Sequence, residues 1–114
     1  MIQKKIFNSL KSLVDGRCFY GVIPETNKQF PVIVYDFPNV KPNLALEEGD
    51  LDDFLVQIDI YSNNPDDIFN LRKLVFSAIS KEFEYAERIN DFTDYEDDTK
   101  LYRRVINYTI AYKE

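Results

Sequence analysis

Carboxylates are the groups in this sequence with the most capacity for chemistry, and they fall in two runs. Glu47, Glu48, Asp50, Asp52 and Asp53 form the first; Asp91, Asp94, Glu96, Asp97 and Asp98 form the second. Such runs attract hard cations, because Ca²⁺ and Mg²⁺ take oxygen ligands. Neither run has the D-x-[DN]-x-[DN]-G spacing of a calcium loop, so each reads as a solvated acidic segment, and no metal or other cofactor is expected. Paired carboxylates also serve as acid and base in hydrolysis, including that of glycosides. That chemistry needs one carboxyl in an apolar pocket that raises its pKa, whereas these residues sit in polar, turn-like sequence. The chain has no histidine, which removes both the usual acid/base near neutral pH and the commonest metal ligand. Cys18 is the single cysteine and lies in the apolar run CFYGVI. It reads as a buried, inert thiol; no disulfide can form within the chain. No catalytic residue is expected, and a carboxylate-based hydrolase ranks last among the function classes.

These acids need a scaffold, and the chain is long enough for one. Its 114 residues, 45% of them hydrophobic, with eight Tyr and nine Phe, suffice for a single core but not for two. A net charge of −6 and a pI near 4.7 argue against nucleic-acid binding, which rests on Lys and Arg displacing counterions from phosphate. No run approaches the roughly 20 apolar residues of a membrane-spanning helix. The start of the chain lacks the uninterrupted apolar stretch and cleavage site of a signal peptide. A soluble, intracellular protein is expected.

Hydrophobic periodicity supplies the elements. Ile2, Ile6, Leu10, Leu13 and Val14 recur at helical spacing over residues 2–14, and Asp15-Gly16 supplies the stop. CFYGVI (18–23) and PVIVYDF (31–37) are rich in β-branched and aromatic residues and predict two antiparallel strands joined by the polar ETNKQ. Between residues 38 and 53, two prolines, a glycine and clustered acids predict an extended acidic loop or strand tips projecting from the sheet. In FLVQIDIYS, Phe54, Val56, Ile58 and Ile60 alternate with Leu55, Gln57, Asp59 and Tyr61, giving one core face and one wetter face. SNNPDD then reads as a helix start with Asn64 as cap, Pro65 in the first turn and Asp66 and Asp67 at the positive end of the dipole. Ile68, Leu71, Leu74, Val75, Ala78 and Ile79 form the stripe of that helix. Residues 83–95 predict a strand, YEDDT a turn, and KLYRRVINYTIAYK a closing strand. Tyr102, Arg104, Ile106, Tyr108, Ile110 and Tyr112 share one face of the closing strand, a pattern suited to core packing or a Tyr- and Arg-rich protein interface. Arg103 and Arg104 must point to opposite faces, so at least one is expected to be exposed or paired across an interface. The sum is an α+β single domain: a mostly antiparallel sheet of about five strands with two helices on it, in the order α-β-β-β-α-β-β.

That ordered set carries a resemblance. The N-terminal helix, CFYGVIPE, FPVIVYDF, the acidic segment, VQIDIYS running straight into NNPDD, and the closing YRRVINYTIAY together resemble the small tail-completion or tail-terminator proteins of long-tailed bacteriophages and prophages. The resemblance covers nearly the whole chain. It implies a structural assembly protein without catalytic residues, in which copies form a ring, typically a hexamer. Such a ring caps the tail tube at full length and offers a docking surface to the head connector. The implied partners are further copies, the tail tube protein and a head connector or neck protein, with no direct nucleic-acid readout and no membrane. The implied place is the bacterial host cytoplasm during assembly and then the virion tail or neck. Candidate interface residues are the acids Glu47, Glu48, Asp50, Asp52, Asp53, Asp94, Glu96, Asp97 and Asp98, with Arg103. A head-side neck or adaptor protein, or a small non-enzymatic oligomeric binding module, is the alternative.

Overall fold

A computed structural model describes residues 1–43 and 50–114. Helix α1 (Ile2–Leu10) buries Ile2, Ile6 and Leu10, and the helical pattern continues as one 3-10 turn, Lys11–Val14, that buries Val14. Complete burial of side chains such as Ile6 and Leu10 stabilises the fold by roughly 1.5–3 kcal/mol each. The expected stop is made by both residues of the Asp15-Gly16 pair, at φ 50° and 84°, with the Gly16 N–H closing onto the Lys11 carbonyl at 2.8 Å. Asp is among the few non-glycine residues that tolerate this left-handed conformation.

The strands are β1 (Cys18–Tyr20), β2 (Val32–Pro42), β3 (Asp52–Ser62), β4 (Ala86–Glu96) and β5 (Leu101–Tyr112), and helix α2 (Pro65–Glu82) follows β3. They form one sheet in the order β1-β2-β3-β5-β4. Three of its pairings are antiparallel, so the expected fold class and element order hold.

The first pairing is a correction: β1 and β2 run parallel, in register Cys18↔Ile33 to Tyr20↔Tyr35, not as an antiparallel hairpin. The strand expected over 18–23 stops at Tyr20, because Gly21 turns away at φ 80° with its N–H on the Tyr35 carbonyl. Residues 21–31 then carry the chain back to the end where β1 began. Arg17 fixes that end twice: its Nε donates to the Pro31 carbonyl at 2.9 Å and its carbonyl accepts from the Ile33 N–H at 3.0 Å. A connection of this length approaches that needed for a parallel return, whereas a tight hairpin uses far fewer residues.

The segment expected as loop or strand tips over 38–53 is strand at both ends, since β2 extends to Pro42 and β3 starts at Asp52. Lys41↔Asp53 and Pro42↔Asp52 still pair there, and Asn43 closes the ribbon through Asp53 Oδ1 at 2.7 Å and Leu51. Glu47 and Glu48 lie outside the described residues.

The alternation read in β3 holds. Phe54, Val56, Ile58 and Ile60 join Ile33, Tyr35, Ile106, Tyr108 and Ile110 beneath the buried side chains of α1 and α2. The start of α2 is built as its sequence requires: Asn64 Oδ1 accepts from the Asp66 N–H at 3.0 Å and Pro65 opens the first turn. Ser62 Oγ donates to Asp67 at 2.8 Å, joining the end of β3 to the helix. Among the described residues no helix lies over the opposite face of the sheet. A short segment, Gly21, Val22 and Ile23, lies there against Val34, Tyr61 and Leu101.

Candidate functional site

The strand register puts Asp50, Asp52 and Asp53 at one end of the sheet and Glu96, Asp97 and Asp98 at the other. At one end, Asp52↔Tyr112 and Asp53↔Ala111 close the β3–β5 ladder, beside the start of β4. At the other, Glu96↔Leu101 leads into the turn that holds Asp97 and Asp98, beside the start of α2. A rise of about 3.4 Å per residue along the 12 residues of β5 separates these ends by roughly 40 Å, close to the full 46 Å length of the molecule.

At the first end Asp50 is exposed at φ 58°, whereas Asp52 and Asp53 are half-buried and Asp53 is held by Asn43. At the second, Asp97 and Asp98 are exposed and Glu96 is half-buried in the last strand position. Asp91 and Asp94 lie within β4, in the strand expected over 83–95 rather than in a polar turn, because its pairing with β5 runs from Ala86 to Glu96 despite the polar composition. Asp94 is exposed and accepts from the Tyr95 N–H at 2.8 Å.

Asp91 is instead the centre of an internal ion cluster. Arg104 Nε and Arg72 both donate to its carboxylate, the latter from α2 at 2.7 Å. Burial acts to raise the Asp91 pKa, but the hydrogen bonds and charges of Arg104 and Arg72 outweigh it and hold the carboxyl below its ordinary value. The same contact raises Arg72. Arg72 and Arg88 also stack on Phe76, at 4.6 and 4.0 Å, so guanidiniums from helix and strand share one ring.

Across the sheet, Arg103 Nη2 lies 3.0 Å from Asp59 Oδ2 and its Nη1 3.9 Å from Asp94 Oδ2, with the guanidinium over Tyr61. Arg103 was expected at an interface, and at least one of the arginine pair was expected to be exposed or paired outside the chain. Both are partly buried and both are paired internally. The physical reason is the strand alternation itself: each guanidinium meets an aspartate on its own face, supplied by β3 on one side and β4 on the other. Desolvation lowers Arg103, yet the Asp59 contact more than offsets it and the pKa rises. Asp59 and Arg72 drew no attention as functional residues. The signal available was the Arg103-Arg104 dipeptide within an apolar strand, which demands an acid on each face.

Cys18 is buried, and desolvation pushes its thiol up to about 12, as suits a packing residue. Among the described residues no group of three or more His, Cys, Asp or Glu is placed to hold a metal ion, and no helix is long and apolar enough to cross a membrane. An open groove of about 570 Å³ lies where α2 starts beside β4, lined by Pro65, Ile68, Phe69, Thr93, Tyr95 and Tyr102, with Asp94 at its rim. Phe69 is 63% exposed there.

These features define a class: a small α+β protein whose titratable groups serve structure and surface, with two helices on one face of a mixed sheet and acids at both ends. The sequence matches the family described as "Tail completion protein gp17" over residues 4–113, and the chain belongs to that family, one of structural phage tail proteins rather than enzymes. No curated protein matches the sequence. Among solved structures, the chain is similar to one in the "Virion of native gene transfer agent (GTA) particle", with a TM-score of 0.63 at 11% identity over 96% of this chain and 92% of that one. At that identity the likeness is one of fold.

Proposed function

We propose that this member of the family terminates the tail: copies close into a ring, six in number, that caps the tail tube at its final length and gives the head connector its docking surface. Family membership and a fold shared with a chain of a virion particle support the reading. The observation that carries it is the placement of Asp50, Asp52 and Asp53 at one end of the sheet and Asp97 and Asp98 at the other, about one sheet length apart. A subunit built this way can meet different partners at its two ends and further copies at its sides. Acidic ends favour partners with complementary basic rims, since charge complementarity sets specificity and on-rate. The protein accordingly folds in the host cytoplasm and ends in the virion between tail and head.

The experiment is to add the purified protein to purified tail tubes and image the ends, with light scattering of the free protein over a wide concentration range. Rings on tube ends, and recovery of head joining, are expected. Tubes left bare at every protein concentration would overturn the reading. Replacing residues 44–49 with a short Gly-Ser linker should abolish joining while leaving the fold intact, and unaltered joining would remove the β2–β3 tip from the function.

A further inference from the structure

The two long edges of the sheet differ in charge and in finish. On one edge lies β4, eleven residues paired on one side only, with Ile89, Phe92 and Tyr95 exposed along it. Residues 84–98 hold seven Asp or Glu against one arginine, and six of these acids lie outside the Asp91 cluster. On the other edge, β1 covers β2 only at Ile33–Tyr35, so residues 36–42 have no strand outside them among the described residues. Residues 1–42, which build that side, carry six Lys or Arg against three Asp or Glu. Helix α1 lies over this edge: Lys5 pairs with Glu82 of α2 on one flank, and Gln3 reaches Tyr35 on the other. Exposed Lys4 on α1 and exposed Lys41 in the uncovered stretch of β2 give it positive charge, and Tyr20 of β1 stands exposed.

A long unpaired edge with exposed apolar side chains templates association unless something covers it. The bulge between Arg88 and Asn90 and the acids along β4 discourage a like edge from pairing there, since two acidic edges repel. An edge of opposite charge does not meet that barrier, and this chain carries one on its far side.

We infer that the occupant of the β4 edge is the α1/β1 edge of a second copy, a head-to-tail contact of acidic edge on basic edge. A heterologous contact of this kind repeats, and closes into a ring when its rotation allows. The inference rests on the ring proposed above and assigns its lateral surfaces, leaving the two sheet ends free for other partners.

The test uses charge reversal at exposed positions on the full chain. One variant carries Lys4→Glu and Lys41→Glu; the other carries Glu87→Lys. Each alone should raise the concentration needed for assembly by about tenfold or more, consistent with the cost of opposing like charges at an interface. Mixed one to one, the variants present complementary edges at every contact in an alternating ring and should assemble as the unaltered protein does. That rescue also shows that both variants fold. If each variant alone assembles like the unaltered chain, or the mixture fails while both melt normally, the edge assignment is overturned and the ring stands. If the unaltered chain forms no ring in solution or on tail tubes, the ring reading falls and the inference with it.

Discussion

On the helix-covered face of the sheet one aspartate, Asp91, is gripped by two arginines, Arg104 and Arg72; on the open face one arginine, Arg103, serves two aspartates, Asp59 and Asp94. The first cluster joins three elements, α2, β4 and β5, and it fixes an edge strand that otherwise leans almost wholly on β5. The second spans three strands, β3, β5 and β4, that lie side by side in the sheet and are already tied by their backbone ladders. The same chemistry therefore has different mechanical consequences: around Asp91 the ion cluster supplies tertiary structure, while around Asp59 it fills out a face whose backbone is already fixed. The charge balance differs as well. Two guanidiniums on one carboxylate leave the covered cluster positive, and one guanidinium shared by two carboxylates leaves the open cluster negative.

The strongest way to break that contrast is Asp91→Ala. It strands two partly buried guanidiniums and cuts the link from α2 to β4, so a loss of about 2–4 kcal/mol is expected in urea unfolding. Hydrogen exchange should show β4 amides losing protection before those of β3, since the edge strand opens as a local unit. Equal loss of protection in β3 and β4 would contradict a local tether. A pH dependence follows from the same cluster. The folded pKa of Asp91 lies below its ordinary value, so its contribution is full above the unfolded carboxylate value of about 3.9 and is lost as pH falls through the lower, folded one. Asp91→Asn should flatten this acid limb of the stability curve while leaving the neutral-to-alkaline limb unchanged.

Arg103→Met should cost less, about 1–2 kcal/mol, because Asp59 retains the Gln57 amide at 3.3 Å and the β3–β5 ladder is undisturbed. Most of that cost is the stranded carboxylate. Combining Arg103→Met with Asp59→Asn should therefore be milder than the sum of the single changes, and a double-mutant cycle reads the coupling directly. Additive losses would mean that the two residues act separately and that the open-face cluster is not a unit.

Sequence pattern is most informative where one local rule decides. The cap at Asn64, the stripe of α2 and the alternation of β3 each depend on neighbours within a few residues; the cap and the alternation are built as the sequence predicts, and the stripe is too except at Leu74, which stands exposed. The direction of β1 depends on where an irregular eleven-residue connection delivers the chain, which no local period encodes, and there the antiparallel expectation failed. Asp91 failed for a related reason: ten carboxylates in two runs look alike until the register reveals which one faces Arg104. Its neighbours Asp94, Asp97 and Asp98 stay exposed, as polar turn-like sequence suggests. The register thus separates Asp91, taken up inside the fold, from exposed Asp97 and Asp98, a distinction that composition alone does not draw.

Smaller effects calibrate this distinction. Asn64→Ala removes a cap that involves neither cluster and should cost about 1 kcal/mol, a local yardstick below both ion clusters. Asp97→Asn with Asp98→Asn should leave the melting temperature unchanged, because these carboxylates are exposed in the β4–β5 turn. Their effect belongs to assembly. Occupancy of tube ends should fall in the double variant, and the loss should shrink as salt screens the remaining charge. A lowered melting temperature would instead make these acids part of the fold, like Asp91, and erase the contrast between paired and available carboxylates on which the functional reading depends.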